Sequence, residues 1–372
     1  MKISTVEVFP LALPLRKPFS IALGTTTHTF HAIVRITTDD GISGYGEGAT
    51  WHVVYGYDQH SMIWSIERYL APAIVGMDPF DIERIIATMD RALPGNHMAK
   101  AGIEIACQDI RGKALGVPLS RLLGGTLTDP VEVIAVVDIV PPEEAARTAE
   151  EAVKDGFRFI KIKVGLDVRE DVERVAAIRK AVGPDLPLRV DGNQGYDRAG
   201  ATKACRAFEA FGLQWIEQPL PDWDIEGLAA LAREFSTPIA LDESIYDVHD
   251  VYRVARAQAA DVINIKVPKC GGVTNALKIA NAAEAMGIPC FLGGCIESGI
   301  GTAAALHFAT SCPNLHAGVE MAGSSVFKDD ILAEPLILEH GVMALPRGAG
   351  IGVHPAPDKL ARYSKANEGE KS

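Results

Sequence analysis

From Val131 onward the chain repeats one unit, a short apolar strand followed by an amphipathic helix. The strands read as "VEVIAVVDI", "FIKIKV", "LPLRVDGN", "LQWIEQP", "PIALDES", "VINIKV", "PCFLGG" and "LHAGVEM". Helices such as "DVREDVERVAAIRKAVG" lie between them, with Val168, Val172, Val175 and Ile178 on one face and Asp167 as N-cap. Eight strands alternating with helices predict a (β/α) barrel of parallel strands.

A charged residue recurs at the strand ends. Lys163, Asp191, Glu217, Asp242, Lys266 and Glu297 follow one another at intervals of 28, 26, 25, 24 and 31 residues, about one βα unit each. Each therefore comes from a successive strand, and in such a barrel the C-terminal strand ends converge on one face, where active sites sit. Taken singly, a lysine on a strand reads as a solvated edge and a strand-end carboxylate as a helix cap. Caps and edges have no reason to recur once per unit, so the recurrence favours a site.

The residue types define its chemistry. Asp191, Glu217 and Asp242 bring three hard oxygen ligands together without cysteine or histidine, which suits one Mg2+ per site. Lys163 precedes this trio and Lys266 follows it, so a substrate carboxylate on the metal would have its α-carbon between two candidate bases. In "RFIKIKVG" strand alternation points Lys161 to the same side as Lys163, and a neighbouring cation lowers a lysine's pKa. Asn193 and Glu243 are expected to orient ligands or lysines, and Glu297 to face the site. Lys269, past Pro268, is assigned to solvent or a loop. No histidine is assigned to catalysis.

Residues 1 to about 60 carry strand patterns, with "DDG" as a hairpin signal, and residues 61–123 turn helical. The segment Ser20–Thr29, "SIALGTTTHT", reads as a mobile lid, and "WHVVYGYDQH" brings Trp51, Tyr55 and Tyr57 to a second loop facing the substrate. A net charge of -12 without long runs of like charge argues against nucleic acid and anionic membranes. Six cysteines without a C-x-x-C pair fit a reducing compartment, and neither an export signal nor an 18-residue apolar run is read, so the expected location is the cytoplasm.

At "KIKVG", "RVDGNQGY", "WIEQPL", "ALDES", "NIKVPKCGG" and "GGCIESGIG", in this order, the chain resembles the enolase superfamily in its muconate lactonizing enzyme subgroup. The resemblance implies an α/β fold, a (β/α)7β-type TIM barrel with an N-terminal α+β capping domain. The expected division is 1–125 for the capping domain, 126–325 for the barrel and 326–372 for a segment packing back on the cap. It also implies Mg2+ at Asp191, Glu217 and Asp242, catalytic Lys163 and Lys266 assisted by Lys161, a small carboxylate substrate and a homo-oligomer, dimer to octamer.

Strand eight, "GVEMAGS", has Glu320 and then Ala322, whereas dipeptide epimerases of this subgroup carry D-x-D there. It is closer to the G-x-E-x-x-G of muconate cycloisomerases, from which it departs at Ala322, and Met321 is the expected substrate contact. The leading expectation is a cycloisomerase. The alternatives are a racemase or epimerase of an amino-acid derivative and a dehydratase of a hydroxy acid or hydroxyproline. A non-catalytic binding protein is disfavoured because both lysines and all three carboxylates are present.

Overall fold

The computed structural model describes residues 1–321 and 323–366; Ala322 and the charged end of the chain lie outside the described residues. The chain opens with three antiparallel strands, β1 (Ile3–Ile21), β2 (Gly24–Thr38) and β3 (Ser43–Thr50), in the order β1-β2-β3. The "DDG" signal lies in the turn between β2 and β3. Helices then follow, the longest being His97–Leu115.

This helix lies directly on β3. In "SGYGEG" the glycines Gly44, Gly46 and Gly48 alternate, so all three share one face of the strand. A Cβ on Gly46 would collide with the carbonyl oxygen of Gly102, and one on Gly48 would come within 2.6 Å of that of Met98. The bare strand face is what allows backbone-to-backbone packing, and Ile103, Ala106, Cys107 and Ile110 fill the apolar cluster around it.

The expected lid is not a loop. Ser20–Thr29 forms the end of a β-hairpin, with Ile21 paired to Gly24 across a tight turn. The methyl group of Ala22 at its tip lies against Gly165 and Gly195, in the connections that follow two barrel strands. The expected second loop is partly a one-turn helix, His52–Tyr55, ended by Gly56 in the left-handed region.

Beyond β4 (Val131–Glu132) comes the parallel sheet of β5 (Ala135–Val137), β6 (Ile160–Lys163), β7 (Leu188–Asp191), β8 (Ile216–Glu217), β9 (Ile239–Leu241), β10 (Val262–Ile265) and β11 (Cys290–Leu292). The order is strictly sequential, β11-β10-β9-β8-β7-β6-β5. Ile160, Ile162, Leu188 and Val190 join the main apolar cluster together with the helices, and Asp167 caps Val168–Val182 through the amides of Arg169 and Glu170 as expected.

The eighth strand departs from expectation. "LHAGVEM" forms no regular strand, and the barrel closes through isolated bridges, Leu315 to Cys290 on one edge and Val319 to Val133 on the other. The Glu320 amide donates to Leu292 O at 2.8 Å. Gly318 at φ 78 packs on the Phe159 ring and breaks the extended geometry. Of the remaining strands, β12 (Leu338–Glu339) pairs with β13 (Val342–Met343), which pairs with β4, and the helix Pro357–Ala366 packs near β1. Among the described residues no helix is long and apolar enough to cross a membrane.

Gly46→Ala is expected to lower stability by about 1 to 3 kcal/mol through overpacking of β3 against the helix. Urea unfolding followed by circular dichroism measures this; an unchanged midpoint would mean that the helix moves off the strand without cost.

Candidate active site

The register of the sheet places the charged residues in one layer. Lys163 is paired with Asp191 across β6 and β7, and Asp191 with Glu217 across β7 and β8. Asp242 follows β9 by one residue and Lys266 follows β10 by one residue, so all five stand at the C-terminal ends of consecutive strands. Every one of them is buried.

Lys163 donates to Asp191 Oδ2 at 2.7 Å and to Asn193 Oδ1 at 3.0 Å. Asn193 in turn donates to Glu243 Oε1 at 3.1 Å. On the other side of the mouth Lys266 stands 2.7 Å from Asp242 Oδ2 and donates to the Tyr55 hydroxyl at 2.9 Å. Tyr55 thus reaches the barrel from the first unit, and the Cys295 thiol lies 3.5 Å from its hydroxyl. Glu297 is buried nearby, after Ile296, whose φ of 58 is unusual for a β-branched residue and turns the chain before the glutamate. Met321 is buried in the main apolar cluster.

Lys161 lies one layer deeper. Its ammonium stands 2.8 Å from Asp191 Oδ2, 2.8 Å from Glu217 Oε2 and 2.5 Å from Glu320 Oε1. Burial opposes its charge, but these three carboxylates outweigh burial and raise its pKa. Below it the barrel is plugged by Arg189, stacked 3.9 Å from the Trp215 ring centre, with Phe291 alongside.

Lys269 corrects the sequence reading. It is fully buried, donating to Asp242 Oδ1 at 2.7 Å and to the carbonyls of Asp242 and Asn264. Pro268 does not release it to solvent; the turn that follows β10 directs it back onto Asp242, at the end of β9. Two side-chain amides that were not expected also hold these residues, one at a carboxylate and one at the backbone. Asn264 donates to Glu217 Oε1 at 2.7 Å, and Gln218 accepts from the Asp242 amide at 3.0 Å.

One further carboxylate was missed. Asp138 directly follows β5, whose register with β6 pairs Val137 with Ile162, so Asp138 continues the alternation beside Lys163. It precedes Lys163 by 25 residues, the same period that located the others. The signal was present in the sequence, inside the apolar run "VEVIAVVDI".

Among the described residues no three of histidine, cysteine, aspartate and glutamate enclose a metal-sized space as the side chains stand, the lysine ammoniums being the partners of the carboxylates. The donor set nonetheless fits a hard divalent cation. Glu217 Oε2 and Asp242 Oδ2 are buried without a directed hydrogen bond, although a lysine nitrogen is within 2.8 Å of each, close enough for charge but poorly aligned. Burial and the adjacent Asp191 push Glu217 up to about 8, and burial and Asp242 push Glu243 up to about 7. Burial also raises Glu297 to about 7. The site holds more buried carboxylate than its lysines neutralise.

A cleft of about 1020 Å³ opens at the opposite, N-terminal end of the strands, bordered by Glu132, Arg158, Leu186 and His316. It lies away from the convergent charged groups, which mark the chemical end of the barrel.

Two family models match the chain, "Mandelate racemase / muconate lactonizing enzyme, N-terminal domain" over residues 3–124 and "Enolase C-terminal domain-like" over residues 144–359. An N-succinyl-L-Arg/Lys racemase of Bacillus cereus is 38% identical over 89% of this chain and 90% of its own length, and its crystal structure superposes with a TM-score of 0.94 over 98% of both chains. The dipeptide epimerase of Enterococcus faecalis, solved with Mg and the dipeptide L-Leu-L-Tyr, is 37% identical with a TM-score of 0.91, covering 95% of this chain and 99% of that one. Muconate cycloisomerase 1 of Rhodococcus opacus is 34% identical over 98% of this chain and 99% of its own length.

The raised carboxyls fix the sign of a pH effect. Their protonated forms favour the fold fully below about pH 4.5, and that contribution is lost as pH rises through about 7 to 8. Chelator-treated protein is therefore expected to lose thermal stability between about pH 5 and 8.5, and added Mg2+ to raise the melting temperature more at the higher pH. Scanning calorimetry with and without Mg2+ checks this; an equal increment at both values would contradict it.

Proposed function

The chain belongs to the mandelate racemase/muconate lactonizing enzyme family of the enolase superfamily, and we propose that it is an isomerase that moves the proton on the carbon α to a carboxylate, with Lys163 and Lys266 handling that proton. The observation that carries this reading is the placement of the two lysines. Counting β5 as the first barrel strand, β6 and β10 are the second and the sixth, diametrically opposed in an eight-fold ring, with the three carboxylate strands between them. A planar enolate held at the carboxylate side of the mouth would present one face to each lysine.

Asp191, Glu217 and Asp242 would hold one Mg2+. Bound there, it would supply positive charge to stabilise a substrate carboxylate as its α-proton leaves, and would replace the lysines as partner of these carboxylates. The chain's own groups do the rest. Asn193 and Glu243 orient Lys163, Tyr55 orients Lys266, and Lys269 and Gln218 hold Asp242 in place. The hairpin tip at Ala22 and the buried mouth keep water from the reacting carbon.

Two versions of this chemistry rest on different observations. A cycloisomerase needs one lysine for the proton and the other as a nearby charge; in its favour, the strand-eight carboxylate Glu320 is held by Lys161 and so is not presented to a substrate ammonium. A racemase or epimerase of an amino-acid derivative uses both faces, and the opposed, equally buried lysines support it. The six cysteines, all free and buried, support a reducing cytoplasmic setting.

Lys163→Ala and Lys266→Ala are each expected to reduce turnover by about 10²- to 10⁴-fold. Exchange of the α-hydrogen in D2O separates the versions. A racemase keeps exchange from the face of the surviving lysine in both variants, whereas a cycloisomerase loses exchange in one variant only. Full activity in either variant would remove the lysines from the mechanism.

A further inference from the structure

The mouth of the barrel has a carboxylate that none of its lysines neutralises. Asp138 stands at the end of the first barrel strand, beside Lys163 and diametrically opposite Asp242, since β5 and β9 are four strands apart. Asp191, Glu217, Asp242 and Glu320 each have a lysine nitrogen within 2.8 Å. Among the described residues Asp138 has no such ion pair. The positive charges acting on it are Lys163, whose ammonium is committed to Asp191 and Asn193, and Lys17 on β1. The backbone of Ser20, at the base of the hairpin that lies over the mouth, also favours its charged form, and the neighbouring Ile139 amide donates to Ser20 O at 3.4 Å.

Position determines what this carboxylate meets. A substrate whose reacting carboxylate points to the third, fourth and fifth strands extends its remainder toward the seventh, eighth and first. There Glu320 is occupied by Lys161, and Met321 is apolar. Of the two acids there without a lysine partner, Glu297 is buried, whereas Asp138 is only half-buried and is the one left open to a ligand. Burial already raises its pKa to about 6, and a substrate covering it removes more water. Covering a lone carboxylate with an anionic or apolar group costs free energy, whereas covering it with a cation or a strong hydrogen-bond donor recovers the loss.

We propose that Asp138 is a specificity-determining residue that recognises a positively charged nitrogen on the part of the substrate remote from the reacting carboxylate. This rests on the reading above, in which the α-carbon lies between Lys163 and Lys266. It directs the substrate class to carboxylates bearing an ammonium or similar cationic nitrogen and away from dicarboxylates, whose second charge would face Asp138 directly.

The experiment uses the Mg2+-loaded enzyme, wild type and Asp138→Asn, the latter retaining an oxygen for the Ser20 backbone. Two matched pairs of probes place the ammonium at different reach: L-alanyl-L-alanine against its N-acetyl derivative, and Nα-acetyl-L-lysine against Nα-acetyl-L-norleucine. Calorimetric titration gives binding, and α-hydrogen exchange in D2O gives chemistry. The expected result is at least a tenfold binding preference for the charged member of one pair, reduced to near unity in Asp138→Asn, with melting temperature unchanged. Equal binding of both members, absence of binding by all four, or a preference that survives in Asp138→Asn would each overturn the assignment. A preference lost in Asp138→Asn but without exchange in the wild type would support the role of Asp138 and overturn the proton-transfer reading instead.

Discussion

Four lysines and more carboxylates are buried at one end of a barrel, and the rest of the molecule is arranged to keep them there. An isolated buried charge is strongly unfavourable, and breaking one partner of a buried pair costs about 3 to 5 kcal/mol. The chain meets this by sharing. Asp191 serves Lys161 and Lys163, Asp242 serves Lys266 and Lys269, and Lys161 bridges three carboxylates. No member can be removed without stranding a neighbour. That property is costly for stability and useful for function, because groups held by several partners are fixed in position before a substrate arrives.

The same device joins the two units. Glu47 on β3 accepts from the amides of Ser298 and Gly301, at the start of the helix Gly299–Ser311. Glu104 on the helix His97–Leu115 accepts from the amides of Val273 and Thr274, at the start of the helix Val273–Ala285. Both glutamates are fully buried, and both sit where unsatisfied amides and the helix dipole favour an anion. These two barrel helices follow the connections that carry Lys266 and Glu297. Tyr55, which touches Lys266, belongs to the first unit, so its aim depends on how that unit is seated. Glu47 and Glu104 fix that seating at the two connections where it matters for Lys266.

Much of the fold and most of the ring were legible because one period encodes both. A βα unit has a nearly constant length, so residues that must meet at one barrel face recur at that length, and Lys163, Asp191, Glu217, Asp242 and Lys266 could be placed from spacing alone. What escaped notice did so for local reasons. Asp138 obeys the period but lies in an otherwise apolar run, where one acid reads as a strand terminator. Lys269 follows a proline that signals the end of a strand, and nothing in the sequence says that the turn brings it back onto Asp242. The eighth strand has the composition of its predecessors, yet positive φ at Gly318 reduces it to isolated bridges. The hairpin tip reads as a flexible loop because glycine and threonine dominate it, whereas its pairing with β1 is a long-range fact.

The relatives sharpen the consequence. A racemase and a cycloisomerase, 38% and 34% identical to this chain over most of its length, are built on the same barrel. In the proposed mechanism a ring of lysines and carboxylates that draws a proton from beside a carboxylate serves either outcome, so the ring cannot by itself choose the product. The choice must come from groups that touch the substrate without belonging to the interlocked charge lattice, since only those can change without stranding a buried partner. In this chain the candidates are few. Tyr55 is tied to Lys266, Glu320 to Lys161 and Glu297 is buried without a lysine, while Asp138 stands at the mouth with the hairpin backbone as its support. On the proposed reading, substitution at Asp138 alters the charge facing the substrate and leaves every lysine–carboxylate pair intact, which is the physical condition for a position at which specificity can change while the chemistry is kept.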